Sequence, residues 1–410
     1  MKTQKIFNDP VYGFIHIRSQ LLFDIIEHPF FQRLRRIRQL GLSELVFPGA
    51  NHTRFQHALG AMHLMGRVLD VLRSKGVEIS AEEYESAQIA ILLHDVGHGP
   101  FSHTLEKSLL SGINHESISY QLMGLLNTTL GGALDLSLKM FRNSYKRHFF
   151  NQLICSQLDV DRLDYLLRDS YFTGVPEGNI NVDRLIQLHN VIDDELVIEE
   201  KGIYSLENFL NARRLMYWQV YLHKTSLSAE QLLTNIVLRA KELAQNNINL
   251  PGSIPLRYFL EQHITLENFT QEKIPMEYFS QLDDNDLWGA IKQWTTHQDN
   301  ILSQLCQNLI RRELFKIELT NTPFEKEKIN SLRNRIRDKY DVLTPDTRYF
   351  FAYGVVSNEA YLTEGQPIRL LKKTGELAEL SASADLPNIR AMSKVVRKYY
   401  LCWPKGIVIQ

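Results

Sequence analysis

The chain has 410 residues, and its 46 Lys+Arg against 47 Asp+Glu leave a formal net charge of −1. Near neutrality excludes a polycation that binds nucleic acid over its whole surface, so any affinity for phosphate must come from local clusters. Three widely spaced cysteines (Cys155, Cys306, Cys402) exclude a disulfide frame. With no apolar leader and no apolar run near the roughly 18 residues that span a bilayer, a soluble cytoplasmic protein without a membrane partner is expected.

In chain order, Asn8-Asp9-Pro10 and Gly13 predict a short hairpin over residues 1–17. From Ile17 to about Gln245 the apolar spacing is mainly helical. Leu21, Leu22, Ile25 and Ile26 repeat at helix period, as do Leu34, Ile37 and Leu40. A helix is expected over 54–75, with Ala58, Gly60 and Ala61 admitting a close neighbour. Acidic residues Glu82, Glu83 and Glu85 open a helix over 81–95, and Gly97 closes it. Further helices are expected over 151–171 and 206–245, with a hairpin over 195–206 turning at Lys201-Gly202. Pro251, Gly252 and Pro255 mark a loop near 245–257. Past residue 310, strands at 314–319, 349–356, 368–371 and 399–403, with a turn at Lys373-Thr-Gly375, give a mixed texture. The fold class is therefore mainly α: a helical body over 1–300 and a smaller α+β lobe over 301–410.

The most informative stretch is Ile-Leu-Leu-His94-Asp95-Val-Gly97-His98-Gly-Pro-Phe-Ser-His103. An adjacent imidazole and carboxylate close an apolar helix, where a cation would neutralise the carboxylate. His57, from the 54–75 helix, and Asp161, in Asp159-Val-Asp161-Arg162-Leu-Asp164-Tyr165, complete a set of two imidazoles and two carboxylates. Such a set suits one catalytic divalent ion with open positions for water and substrate. Tyr165, Arg168 and Asp169 share the face of Asp161 by their helical spacing, so charged and aromatic groups would line a pocket there. Nearby, His98, His103 and His115 with Glu106 form a histidine patch suited to proton transfer. His103 and Glu106 stand three residues apart, where the carboxylate would orient the imidazole. A lone histidine on an apolar face is more often a hydrogen-bonded core residue, and Arg33, Arg35, Arg36 and Arg38 read equally as a solvated helix face. The combination of motifs is what separates a site from such accidents.

The strings His52-Thr-Arg54-Phe-Gln-His57, His94 to His103, His115-Glu116 and Asp159 to Tyr165 resemble the HD-domain deoxynucleoside triphosphate triphosphohydrolases. Phe31-Gln-Arg-Leu-Arg35-Arg-Ile-Arg-Gln39-Leu40-Gly and Phe47-Pro-Gly-Ala-Asn-His52 are also similar to that family. The likeness runs from about Lys5 to Tyr221, thins over 225–300 and returns at Arg311-Arg312-Glu-Leu-Phe-Lys316. No SAM domain is expected ahead of it.

The resemblance implies one divalent ion (Fe, Mn, Mg, Ni or Zn) on His57, His94, Asp95 and Asp161. It implies that His98, His103, Glu106 and His115 carry proton transfer and α-phosphate contacts, and that Arg54, Arg162, Tyr165 and Arg213 hold the phosphates. Gln39, Leu40, Tyr165 and Asp169 would line the deoxyribose and base pocket, with Tyr221 near the sugar. Leu222 replaces a polar residue common in the family. The same resemblance implies a homo-oligomer (dimer or tetramer) with a dNTP or GTP effector site at Lys5, Asn8, Gln32, Arg35, Lys201, Arg312 and Lys316; Glu199 stands where a basic residue is usual. The reaction expected is dNTP plus water to deoxynucleoside plus triphosphate. Two alternatives stay open: another HD-type nucleotide phosphohydrolase (nucleotidase or alarmone hydrolase), or a non-catalytic nucleotide sensor. Single-stranded nucleic-acid binding at the arginine run would be secondary.

Overall fold

A computed structural model describes residues 5–110, 112–358, 367–380 and 395–408; the side chains of His103, Leu105, Lys107 and Asn358 lie outside the described set. The chain opens with the expected hairpin, β1 (Lys5–Asp9) and β2 (Gly13–Ile17), paired antiparallel from Lys5↔Ile17 to Asp9↔Gly13. Asp9 Oδ1 makes the turn by accepting the Val11 and Tyr12 N–H groups at 2.9 and 3.0 Å. Ile15 and Ile17 bury the inner face while Ile6 and Phe14 stay exposed.

The body is built on the long helix Arg54–Ser74, packed against helices Ala81–Leu93 and Val160–Thr173. Each start is sealed by the side chains its sequence supplies. Gln56 Oε1 accepts the Thr53 N–H at 2.8 Å, and Ser80 and Glu83 satisfy each other's backbone N–H groups at 2.8 and 3.0 Å. Asp159 accepts from the Arg162 and Ser156 N–H groups at 2.7 and 2.8 Å. Each such cap contributes about 1 kcal/mol. They also fix the ends of the helices from which His57, His94 and Asp161 project.

Several boundaries differ from expectation. The 151–171 segment is two helices, Phe149–Ile154 and Val160–Thr173, because Asp159 caps the second and leaves Cys155 extended. The hairpin lies earlier than 195–206. It is β3 (His189–Ile192) with β4 (Glu195–Glu199), turning at Asp193-Asp194 with φ of 52° and 57°. Asp tolerates this left-handed region, which suits the twist of a two-residue turn. Lys201-Gly202 instead forms a 3-10 turn into helix Ile203–Met216. The 206–245 helix is broken by a π turn at Tyr217–Tyr221 before helix Lys224–Gln245. Helix Ile254–Glu261 begins inside the expected loop.

Past residue 300, helix Asn300–Ile310 packs on helix Lys224–Gln245. A three-stranded antiparallel sheet has the order β5 (Lys316–Thr320), β9 (Val396–Trp403), β6 (Ala352–Asn358). Strands β7 (Arg369–Leu371) and β8 (Leu377–Glu379) join the β3–β4 hairpin in a four-stranded sheet. There β7 runs parallel to β4 through Ile198↔Leu370 and Glu199↔Leu371. The Lys373-Thr-Gly375 turn is where the sequence placed it, with Gly375 at φ 86°. The architecture is mainly helical with small sheets toward the C-terminus. No described helix is long and apolar enough to cross a membrane.

Candidate metal centre and phosphate site

Three helices converge as the spacing required. His57 Nε2 lies 3.0 Å from Asp161 Oδ1 and 3.8 Å from Asp95 Oδ2. His94 Nε2 lies 3.4 Å from Asp161 Oδ1 and 3.3 Å from Asp95 Oδ1. His57, His94 and Asp161 bring ligand atoms mutually within 4.8 Å. Asp95 stands beside them and also accepts from Arg54 Nη1 at 2.6 Å.

The second nitrogen of each imidazole fixes the tautomer. His57 Nδ1 donates to Asp164 Oδ2 at 2.7 Å, and His94 Nδ1 donates to the Ile91 carbonyl at 2.6 Å. Both Nε2 atoms therefore face the carboxylates, and both are buried without a hydrogen-bond partner. A buried orphan nitrogen costs about 1–3 kcal/mol unless something binds it. Two orphaned imidazole nitrogens facing two carboxylates fit a divalent cation of borderline hardness.

The charges follow. Burial pushes the Asp95 carboxyl up, but the charges of His94 and Arg54 and a hydrogen bond from His98 outweigh it and hold it well below the usual range. Burial likewise opposes the charge on Asp161, and His57 and His94 outweigh it and keep that carboxyl ionised. Burial lowers His57, yet Asp161 and Asp164 raise it to about 10. The His57 proton supplies the positive charge that a bound ion would otherwise bring.

The histidine patch is assembled by Gly97. A Cβ there would meet the Ser119 nitrogen at 2.2 Å and the His115 carbonyl at 2.3 Å. Only glycine lets helix His115–Thr129 press onto the turn after Asp95, with Ser119 Oγ donating to the His94 carbonyl at 2.7 Å. His98 and His115 then stack at 3.8 Å between ring centroids. Glu106 accepts from His115 Nδ1 at 2.7 Å. Glu106 thus meets His115, nine residues on; its expected pairing with His103 falls on a side chain outside the described residues. His98 is buried and held well below its ordinary value by burial and then by Arg54, so its imidazole is neutral.

Several residues expected to meet phosphate and sugar carry buried polar atoms that lack partners. Arg54 Nε, Arg162 Nε, Arg213 Nε and Nη1, Gln39 Oε1, His52 Nδ1 and His98 Nδ1 are buried without partners. Most of the partnerless buried side-chain polar atoms among the described residues therefore lie on residues expected at the site. Arg162 is held by Asp159. Tyr165 and Tyr221 meet edge to face at 5.9 Å, and Tyr217 packs on Tyr221 at 5.2 Å. Leu40 is half-buried at the start of the 3-10 turn Gly41–Leu45. Asp169 is committed to the protein, with His52 Nε2 donating to Oδ1 at 2.7 Å and the Tyr221 hydroxyl to Oδ2 at 2.8 Å.

Two expectations are corrected. Arg168 does not line the pocket; it is fully buried against Asp164 and Asp9. The arginine run is solvated only in part, with Arg35 and Arg36 exposed and Arg33 buried. Arg33 is buried and donates to the Leu282 and Val96 carbonyls at 2.9 and 2.7 Å, Arg36 pairs with Asp283, and Arg38 with Glu44. Arg35, like Arg33, has no acidic partner among the described residues; it lies 3.6 Å from the Phe55 ring centre and donates to Gln32 Oε1 at 2.9 Å. The remaining effector candidates each have local neighbours. Lys5 lies over Phe23, Asn8 is exposed, Lys201 pairs with Glu199, Arg312 donates to the Leu45 carbonyl, and Lys316 lies over Trp403. Glu199 also holds Lys75 at 2.6 Å, so its acidity serves the hairpin. Residues the sequence reading passed over are His52, Asp164 and Tyr217. The only signal for Asp164 was its place one turn from Asp161 and four residues before Arg168.

Comparison with known proteins agrees with this geometry. The HD domain model matches residues 54–169 and the HD associated region 180–249. An uncharacterized protein of Bacillus subtilis, YwfO, is 32% identical over 100% of this chain and 94% of that protein. A Dictyostelium discoideum deoxynucleoside triphosphate triphosphohydrolase SAMHD1 homolog is 31% identical over 59% of this chain, which spans only 50% of that protein. The crystal structure of a phosphohydrolase from Bacteroides thetaiotaomicron superposes with a TM-score of 0.95 at 47% identity, covering 98% of this chain and 100% of that one. Motifs, relatives and fold coincide on the same three helices, and the chain belongs to the HD-domain phosphohydrolases.

Proposed function

We propose that the protein is a metal-dependent dNTP triphosphohydrolase, cleaving dNTP with water to a deoxynucleoside and intact triphosphate. The observation that carries this reading is that Arg54, Arg162 and Arg213, the arginines expected at the phosphates, all hold buried donors without partners, as do the Nε2 atoms of His57 and His94. A triphosphate carries about four negative charges and would satisfy those donors together. His57, His94, Asp95 and Asp161 would hold the ion. When bound, it supplies positive charge against a phosphoryl oxygen and lowers the pKa of water.

The chain's own residues do the rest. Arg54, already tied to Asp95, and Arg162, braced by Asp159, would bind phosphate oxygens with their free guanidinium edges. Water adds to the α-phosphorus, the bond to the 5′-oxygen breaks, and that oxygen takes a proton. His115 is suited to supply it, because Glu106 accepts its Nδ1–H and orients the ring. His103 is assigned beside it on the family likeness. Tyr165, Gln39 and Leu40 would line the sugar and base, and Asp169 acts by holding Tyr221 and His52 in place. Tyr165 under the sugar would disfavour a 2′-hydroxyl.

Lys5, Asn8, Gln32, Arg35, Lys201, Arg312 and Lys316 are proposed as an effector site for a dNTP or GTP between subunits of a homo-oligomer in the cytoplasm. The deciding experiment is a screen of metal-reconstituted protein with the four dNTPs, singly and in mixtures, with product analysis. Inorganic triphosphate is expected. Orthophosphate instead would assign a different HD-type phosphohydrolase, and no turnover under any mixture would assign a sensor.

A further inference from the structure

The N-terminal hairpin reaches the candidate metal centre through a continuous buried chain of charges. Asp9 Oδ2 and Oδ1 accept from Arg168 Nη1 and Nη2 at 2.7 and 3.3 Å. Arg168 Nε and Nη2 donate in turn to Asp164 Oδ2 and Oδ1 at 2.9 and 3.0 Å. Asp164 Oδ2 also accepts from His57 Nδ1 at 2.7 Å. Arg168, Asp164 and His57 are 0% exposed and Asp9 is 7% exposed. The ion pair sits where a side chain on Gly60 would be, since a Cβ there would lie 2.0 Å from Asp164 Oδ1 and 2.2 Å from Arg168 Nη2. Helix Arg54–Ser74 thus accepts the pair only because position 60 is glycine. Tyr12, at the hairpin turn, places its ring 5.5 Å from the Arg168 guanidinium.

One oxygen of Asp164 serves both Arg168 and His57, so the two donors compete for its charge. Out of water such competition is strong. Asp9 takes up part of the guanidinium's positive charge from the other side. Without it, the whole of that charge would fall on Asp164, which would become a poorer acceptor for His57 Nδ1–H. An imidazole whose far nitrogen is less firmly held is a weaker ligand at the other.

We propose that Asp9 and Arg168 are positioning residues for His57, making the docked N-terminal hairpin a structural part of the metal centre. The inference rests on the metal reading of the site, and its test separates the two. Mn²⁺ is titrated calorimetrically into the metal-stripped full-length chain and its variants. Asp9→Asn keeps an oxygen to accept the Val11 and Tyr12 N–H groups but removes the charge facing Arg168. Its Mn²⁺ affinity is expected to fall by about 10–100-fold, the range for partners behind metal-bound histidines. Ile6→Ala, on the 51%-exposed outer face of the same hairpin, should bind as the unsubstituted chain does. Should Asp9→Asn not fold, Asp9→Ser supplies the same turn acceptor without an amide against Arg168, and is read the same way. Affinity of the folded Asp9 variant equal to that of the unsubstituted chain overturns this inference alone. No Mn²⁺ uptake by the unsubstituted chain overturns both it and the metal reading.

Discussion

The helical body and the C-terminal strands of this protein treat charge in opposite ways. Around the metal centre, Asp9, Asp95, Asp164, Arg54, Arg168 and His57 are buried, and each is answered by another buried group. Past residue 310 several ion pairs lie in solvent: Lys328 with Glu318, Arg337 with Asp338, Lys372 with Glu376. Burying a charge costs several kcal/mol that a good partner only balances, so apolar residues of similar volume would hold the body together as well. Buried charge concentrated at one place therefore marks what the body does more than what keeps it folded. The residues past 310 carry these charges where they cost little and contribute little.

Within the body the comparison sharpens between the two histidine groups. His57 and His94 have fixed Nδ1 partners and orphaned Nε2 atoms, the state of a ligand. His115 is partly exposed, with one carboxylate partner, the state of a proton carrier. Asp161→Ala should abolish both metal uptake and turnover, whereas His115→Ala should keep metal uptake and lose about 10²–10⁴-fold in kcat. Equilibrium dialysis beside single-turnover assays reads both; a metal-free but active Asp161→Ala protein would end the ligand assignment.

Next in size is an acid limit on the body. His189, fully buried at the start of β3, donates through Nδ1 to the Leu185 carbonyl at 2.9 Å. Burial lowers it from 6.5 to about 4. A histidine neutral in the fold but free to protonate when unfolded contributes stability that is fully present above pH 6.5. That contribution is lost as pH falls toward 4, a span of about 3 kcal/mol. Urea midpoints at pH 7 and pH 4.5 should differ accordingly, and His189→Gln should flatten the difference. An equal slope in the variant would assign the acid sensitivity to other groups.

Much of this centre was legible in the sequence because its parts are local. An apolar helix that ends in His94-Asp95 and a Gly97 turn announces ligands at a helix end, and Asp161 inside a capped amphipathic helix announces a second face. The long-range consequences were not legible. Asp164 meets His57 across 107 residues and Asp9 meets Arg168 across 159, and no spacing rule reports such contacts. No helix-face rule shows that the fold also brings His115 to Glu106, through the Gly97 contact. The hairpin at β3–β4 was misplaced because Asp193-Asp194 turns through left-handed φ without glycine or asparagine. Arg33 looked like surface because nothing near it in sequence shows that Val96 and Leu282 would offer it carbonyls.

The smallest expected effect tests the other side of the comparison. Lys328 Nζ donates to both Glu318 oxygens at 2.9 Å, bidentate contact that would look strong on a list of distances. Its side chain is 29% exposed and that of Glu318 39%, so water screens the pair and both side chains give up rotamer freedom to form it. Lys328→Ala should change unfolding free energy by no more than about 0.5 kcal/mol, with metal uptake unaffected. A loss above about 1.5 kcal/mol, or a change in metal affinity, would mean that charge on β5 supports the body after all. The contrast between a body that buries charge for chemistry and strands that leave it in solvent would then have to be redrawn along the β5–β9 edge.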